Sequence, residues 1–434
     1  MRFAYNILFV IFFWLSAPWY FLKMWRRGHW RAGFGQRFGR YGPEIKAALG
    51  ARPVLWLHAV SVGEVGVCLQ LIGALEPRLP AFQIVVSTTT STGMGELRRR
   101  LPPHVQRIYY PVDFPGAVRR ALDTLRPRAL ILVEAELWPN LLWQALDRRL
   151  PLFLVNARFS ERSFRNYRRC AFLFRPIFSK FRAAGCQEAG DAARLVELGF
   201  PADAVRLVGN LKFDAAQPDR RPGLDVAALL RQIGVNDDAK ILVAGSTHAG
   251  EEAILAGMLP RLRRRCPELF LILVPRHFER AKEVGQELEA RGVPFVYRSE
   301  IAAGPPRASG RPDCLLVNST GELRFFYERA SVVFVGKSLT AAGGQNPIEP
   351  AALGKAIVFG PNMQNFTSVV RAFLAGQAAF QVRDAAELES TLAGLLADDA
   401  RRAEAGARAL RVVRENLGAT DRTVQFIIER LRVA

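Results

Sequence analysis

Pro53-Val-Leu-Trp-Leu-His-Ala-Val-Ser-Val-Gly-Glu-Val65 reads as one strand, one turn and the start of one helix. Residues 54–57 are a short apolar run without polar alternation, the mark of a parallel strand buried on both faces. Small residues follow, and an amphipathic pattern then runs from 65 to 79. Gly63 is expected to let the backbone turn sharply, and Glu64 falls where the helix begins. The free N–H groups and dipole of a helix N-terminus favour an ionised carboxylate there. Such a group at the carboxyl end of a first strand is placed to act as a base. It is equally an ordinary cap residue, and this stretch alone leaves both readings open.

A chain of 434 residues exceeds one comfortable core and points to two domains. With 50% hydrophobic residues it is a globular composition. The formal net charge of +20 suggests an anionic partner: nucleic acid, acidic lipid or a phosphorylated substrate. Five cysteines without CxxC spacing (Cys68, Cys170, Cys186, Cys266, Cys314) read as small buried hydrophobes in a reducing compartment. Residues 3–22 carry no charge and are long enough to span a bilayer core as a helix. Lys23, Arg26, Arg27, Arg31, Arg37 and Arg40 follow, with Trp14, Trp19 and Tyr20 towards that end. This pattern predicts a single-pass membrane anchor with the remaining chain cytoplasmic and facing anionic lipids; a re-entrant or surface-lying helix is the alternative, since Pro18 interrupts the run.

From 54 onwards short apolar runs alternate with amphipathic segments. Strands are expected at 54–59, 83–87, 107–110, 129–133, 152–156 and 183–186, with helices at 65–79, 93–101, 116–125, 141–149, 164–181 and 191–198. The pattern restarts with strands at 240–244, 269–274, 295–297, 315–317, 332–335 and 356–359. A helical tail runs from 385 to 432. The expected division is an anchor (1–22), a first Rossmann-like domain (23–213), a polar, proline-containing linker (214–239), a second Rossmann-like domain (240–415) and a last helix (416–434) returning to the first. The expected fold is α/β with GT-B architecture, two parallel-sheet domains facing a cleft. Ligands of such sheets sit beyond the strand carboxyl ends, where Ser61–Glu64, 88–92, 134–136 and 156–158 fall.

In the second half, Gly245-Ser246-Thr247-His248 leads into a helix with Glu251 and Glu252; small residues and free N–H groups at that turn suit a phosphate. Pro275-Arg276-His277 ends a strand, and an arginine there can grip phosphate. Residues 336–350, GKSLTAAGGQNPIEP, place Gln345, Asn346 and Glu349 at a helix opened by Pro347, which suits a nucleoside monophosphate. Thr320-Gly321-Glu322 makes a similar turn. Lys212 stands where the first domain ends, and a cation there can neutralise a leaving phosphate. No Asp-x-Asp pair occurs, and the five histidines lack ligand spacing, so a metal-held diphosphate is not expected.

The blocks HAVSVGE (58–64), STTTSTG (87–93), VEAELWPN (133–140), GNLKFD (209–214), GSTHAGEE (245–252), VPRH (274–277) and GQNPIEPA (344–351) resemble the 3-deoxy-D-manno-octulosonic acid (Kdo) transferases of lipopolysaccharide synthesis over essentially the whole chain. The resemblance implies a metal-independent, inverting enzyme that moves Kdo from CMP-Kdo to a lipid A precursor, with no further cofactor. It implies Glu64 as general base and Glu134, preferred over Glu136, with Lys212 as transition-state stabilisers. Pro275-Arg276, Thr320-Gly321-Glu322 and Asn346-Pro347-Ile348-Glu349 would bind CMP. A sugar-nucleotide epimerase or hydrolase of the same fold is the rival enzyme reading. A non-catalytic binder of anionic lipid or nucleic acid is weaker, because the basic residues are dispersed without an RNA-type aromatic motif.

Overall fold

The computed structural model describes residues 1–26, 31, 33–134, 137–216, 223–302 and 310–432. Arg27, His29, Glu136 and residues 217–222 of the expected linker lie outside them. Contacts divide the chain into two compact units: Met1–Ala215 with Leu417–Ala434, and Ala216–Asn416.

The first unit holds β1 (Val54–His58), β2 (Gln83–Thr88), β3 (Gln106–Tyr109), β4 (Pro127–Val133), β5 (Leu152–Ala157), β6 (Ala183–Cys186) and β7 (Val205–Leu207). All pair in parallel, in the order β3-β2-β1-β4-β5-β6-β7. Every residue of β1 is buried, and its side chains alternate between two cores. Val54 and Trp56 join one cluster with Leu130 and Leu132, while Leu55 and Leu57 join the other with Ala129 and Ile131. That is the two-residue period of a strand covered on both faces. Strand order reverses direction between β1 and β4, so the carboxyl ends of these neighbours flank the switch point where open α/β sheets bind ligands.

The second unit holds β8 (Lys240–Thr247), β9 (Leu269–Pro275), β10 (Phe295–Tyr297), β11 (Cys314–Leu316), β12 (Val332–Val335), β13 (Ala356–Phe359) and β14 (Phe380–Gln381). It is again all parallel, in the order β10-β11-β9-β8-β12-β13-β14. Its switch point lies between β8 and β12.

Several sequence expectations shift. The helix after β1 starts at Val62, not 65, because the Ser61 hydroxyl accepts from the Glu64 N–H and sets the cap there. Residues 164–181 form two helices, Glu161–Arg169 and Ala171–Phe178, parted at Cys170. Tyr167 meets Phe174 and Phe178 edge-on across the break, a packing gain that a continuous helical period does not reveal. The edge strands β7 and β14 are too short to show as apolar runs. The tail is three helices, Ala385–Ala397, Asp399–Asn416 and Ala419–Arg432. The last packs in the first unit, its start held by the Asp214 carboxylate, which accepts from the N–H groups of Gly418 and Thr420 at 2.7 and 2.6 Å. Cys170 is exposed, against the expectation that all five thiols are buried; the other four are buried.

The N-terminal helix Arg2–Arg26 runs unbroken through Pro18. Its stretch Arg2–Leu22 is long and apolar enough to cross a membrane, by length and composition.

Candidate active site

At the carboxyl edge of the first sheet, the loop leaving β1 is fixed from two sides. The Val60 carbonyl accepts from the hydroxyls of Thr88 and Thr90 at 3.2 and 3.0 Å. The Val60 N–H donates to Glu64 Oε2 at 2.8 Å, and the Ser61 hydroxyl donates to Glu64 Oε1 at 2.9 Å. With the Glu64 N–H donating back to Ser61 Oγ, this is a reciprocal capping box. Glu64 is thus both cap and oriented carboxylate. Gly63 does not make the turn. It is already helical, has no positive φ, and a Cβ there meets only Ser61 Oγ at 3.8 Å. Val60 and Ser61 turn the chain instead.

His58, one block earlier, is buried and stacked on Tyr110 at 3.9 Å. Burial pushes its imidazole down to about 3, so it stays neutral, with Nδ1 against Ser87 Oγ at 2.9 Å.

Glu134 follows β4 with a φ of 62°, and Asn156 closes the polar end of β5 at 52°. Side chains in this left-handed region cost energy and gather at functional sites. The Glu134 carboxylate meets Lys212 Nζ at 3.2 Å, both side chains one-fifth exposed. Buried Asn156 ties the pair together, its amide donating to Glu134 Oε1 at 3.4 Å and its carbonyl oxygen accepting from the Leu211 N–H at 3.2 Å. Asn210 accepts from the Lys212 N–H at 3.0 Å. Sequence reasoning named Glu134 and Lys212 but missed Asn156 as their coupling. Its signal was a polar residue closing the apolar run 152–155.

In the second unit the loop after β8, the expected phosphate cradle, is tied to a carboxylate. The buried Glu251 carboxylate accepts from the N–H groups of His248, Lys337, Ser338 and Leu339, at 2.7 to 2.9 Å. An internal anion therefore already occupies those donors, and Glu251 staples the loop after β8 to the loop after β12. Glu252 forms a second buried pair with Arg280 at 2.9 Å. Ser246 and Lys337, at the ends of the neighbouring strands β8 and β12, both have a φ of 55°. The rings of His248 and His277 stand 5.9 Å apart, and burial holds His248 below its usual value. Lys337, beside His248, is a candidate the sequence reading passed over.

Pro275 is buried at the end of β9, and the Arg276 N–H donates to the Thr247 carbonyl at 3.0 Å, leaving the guanidinium exposed. In the glycine turn, Gly343 and Gly344 have φ of 120° and 71°; a Cβ on Gly344 would stand 2.4 Å from Met363 Sδ. Asn346 accepts from the Ile348 N–H at 3.0 Å and donates to Glu349 Oε1 at 3.1 Å. The helix opens at Ile348 with Pro347 as its cap, and is only five residues long. Its end is less an anion site than a rigid seat for Glu349. Burial raises the Glu349 carboxyl, offset by Asn346, Arg324 and Arg276. This brings Arg276, Asn346 and Glu349 into one group; Gln345 is partly buried beside them in sequence. Glu322 accepts from Arg298 and the Ser319 hydroxyl at 3.1 and 2.5 Å, just past Gly321 (φ 85°) and exposed Thr320.

Residues 32–215 match the family described as 3-deoxy-D-manno-octulosonic-acid transferase (kdotransferase). The chain is 36% identical to a 3-deoxy-D-manno-octulosonic acid transferase of Bordetella pertussis, across 95% of this chain and 96% of that protein. It is 30% identical to one of Haemophilus influenzae, across 92% and 91%. The S. aureus MnaA–UDP structure superposes with a TM-score of 0.58 at 13% identity, covering 88% of this chain and 98% of that one. A UDP-bound Anabaena HepE structure gives 0.56 at 15%, covering 88% and 100%. These likenesses establish the GT-B fold.

Proposed function

Since this chain belongs to the Kdo transferase family, and is a glycosyltransferase of lipopolysaccharide synthesis, we propose that it transfers Kdo from CMP-Kdo to the lipid A precursor lipid IV-A. The transfer inverts the anomeric carbon and uses neither metal nor cofactor. The acceptor's primary hydroxyl oxygen attacks the anomeric carbon, the bond to the CMP phosphate oxygen breaks, and CMP leaves with the electron pair. Glu64 takes the hydroxyl proton. Its capping box supports this role: it fixes the orientation of a carboxylate on a helix N-terminus, where the N–H groups and dipole favour the ionised, proton-accepting form. That is the single observation carrying the assignment.

Lys212, held by Glu134 and Asn156, supplies a cation for charge developing in the transition state. Arg276, Asn346 and Glu349, with Thr320–Glu322, hold CMP: a guanidinium for its one phosphate, carboxylates for ribose hydroxyls. The enzyme works on the cytoplasmic side of the bacterial inner membrane. There, its +20 charge suits phosphorylated acceptors and anionic lipid rather than nucleic acid. Incubating the purified protein with CMP-Kdo and lipid IV-A, then weighing the lipid products, tests the reading. A mass increase of one or more Kdo units with matching CMP release supports it; CMP release without lipid gain favours hydrolysis.

A further inference from the structure

We infer that the N-terminal apolar helix does not cross the bilayer but lies in one leaflet, with both its ends on the same side. The first half of helix Arg2–Arg26 is docked on the first unit along one face. Arg2 forms a two-pronged ion pair with Asp147 at 2.7 and 2.8 Å. The Tyr5 hydroxyl donates to the buried Asp113 carboxylate at 2.8 Å, and Asn6 accepts from the Asn140 amide at 2.7 Å. Phe9 is buried against Phe114 and Trp138, and Phe13 meets Phe114 at 4.8 Å between centroids. Positions 2, 5, 6, 9 and 13 form one helical stripe, so this is a face and not a chance contact.

The chain after the helix returns to the same unit. Arg37 donates to the Thr89 carbonyl at 2.8 Å, and the Tyr109 N–H donates to Gln36 Oε1 at 2.8 Å. A helix that crosses once leaves its ends on opposite sides; here both flanks are bound to one folded body.

The face turned away from the protein still needs an apolar solvent. Phe3, Ile7, Leu8, Ile11, Phe12, Trp14, Leu15, Trp19, Tyr20 and Trp25 are all exposed, a patch far larger than water tolerates. Tryptophans and a tyrosine gather in the second half of the helix, and Arg26 at its end, with Arg31 and Arg40 further along the chain, is exposed. Aromatic rings with adjacent cations match the headgroup layer of an anionic leaflet. Phe114, Trp138 and Thr89 belong to loops at the carboxyl ends of β3, β4 and β2, so the helix brings that leaflet to the edge that carries Glu64. The inference rests on the membrane attachment proposed above, but not on the identity of the acceptor.

The test places a cysteine ahead of Met1 in a Cys170→Ser background, which removes the exposed thiol. A membrane-impermeant maleimide is then applied to intact spheroplasts and to inside-out vesicles. Labelling in inside-out vesicles, with none in spheroplasts, is expected. Labelling in spheroplasts would overturn the inference in favour of a single span. A second arm cross-links Arg2→Cys to Asp147→Cys with a short bis-maleimide in native membranes; an intramolecular product is expected, and its absence counts against docking. Recovery of the protein in the soluble fraction would overturn membrane attachment itself, a distinct failure.

Discussion

The two units open with the same device and use it differently. Gly63-Glu64 lies in the first turn of the helix after β1, and Gly250-Glu251 forms the cap and first position of the helix after β8. Glu64 is partly exposed and is oriented by its own loop. Glu251 is wholly buried and spends its carboxylate on four backbone N–H groups, three of them 86 to 88 residues away. The histidines differ too: His58 is core, fully buried and neutral, whereas His248 is partly exposed beside Lys337 and His277. The same dipeptide near a helix start thus leaves a partly exposed carboxylate in one unit and builds architecture in the other, and burial marks the difference.

Breaking the comparison at its strongest point means removing Glu251. Glu251→Ala leaves four donors unpartnered in a dry site, and a loss on the order of 4 kcal/mol is expected. Urea unfolding of the second unit, together with CMP affinity, reads it: both should fall, whereas Glu64→Ala should lower stability by only about 1 kcal/mol, the value of a cap.

His58 gives the pH arm. Its folded pKa of about 3 lies below that of the unfolded chain, about 6.5. Below pH 6.5 the unfolded state therefore takes up a proton that the fold refuses. Stability falls by about 1.4 kcal/mol per pH unit down towards 3. In His58→Gln that acid-side slope should shrink, as measured by urea midpoints between pH 7 and 5.

The glycines sharpen the contrast at smaller scale. Gly250 sits at a φ of 90°, with Thr340 3.3 Å from a built Cβ. Gly250→Ala should cost about 1–2 kcal/mol. Gly63 is helical and unobstructed, so Gly63→Ala should be neutral or stabilising by up to about 1 kcal/mol; thermal melts of the two variants should shift in opposite directions. Least of all, a chelator such as EDTA should leave the transfer rate unchanged.

Much of this fold was legible. Apolar runs such as 54–57, 332–335 and 356–359 are buried on both sides and announce themselves, and they fixed a pair of parallel sheets. The edge strands β7 and β14 left no such trace, although the edge strand β10 did at 295–297, and Cys170 parts two helices where aromatic packing is not encoded by periodicity. At the site, residues on strand ends could be found by position: Glu64, Glu134, Arg276. The partner of each could not. Lys212 meets Glu134, and Glu251 meets Lys337, Ser338 and Leu339, only through the sheet topology. At 245–248, where a phosphate cradle is expected, the His248 N–H is bound to the Glu251 carboxylate, which also gathers three N–H groups from the loop after β12.

The claim that matters most is that Glu64 serves as base beyond its service as cap. Glutamine preserves a capping box, so Glu64→Gln separates the two roles. The direct measurement is single-turnover transfer from CMP-Kdo to lipid IV-A, with CMP affinity and the unfolding midpoint recorded on the same sample. A rate loss of about 10²–10⁴-fold, with affinity and midpoint unchanged, is the expected result. Wild-type transfer by the folded variant would contradict it and leave Glu64 a cap alone.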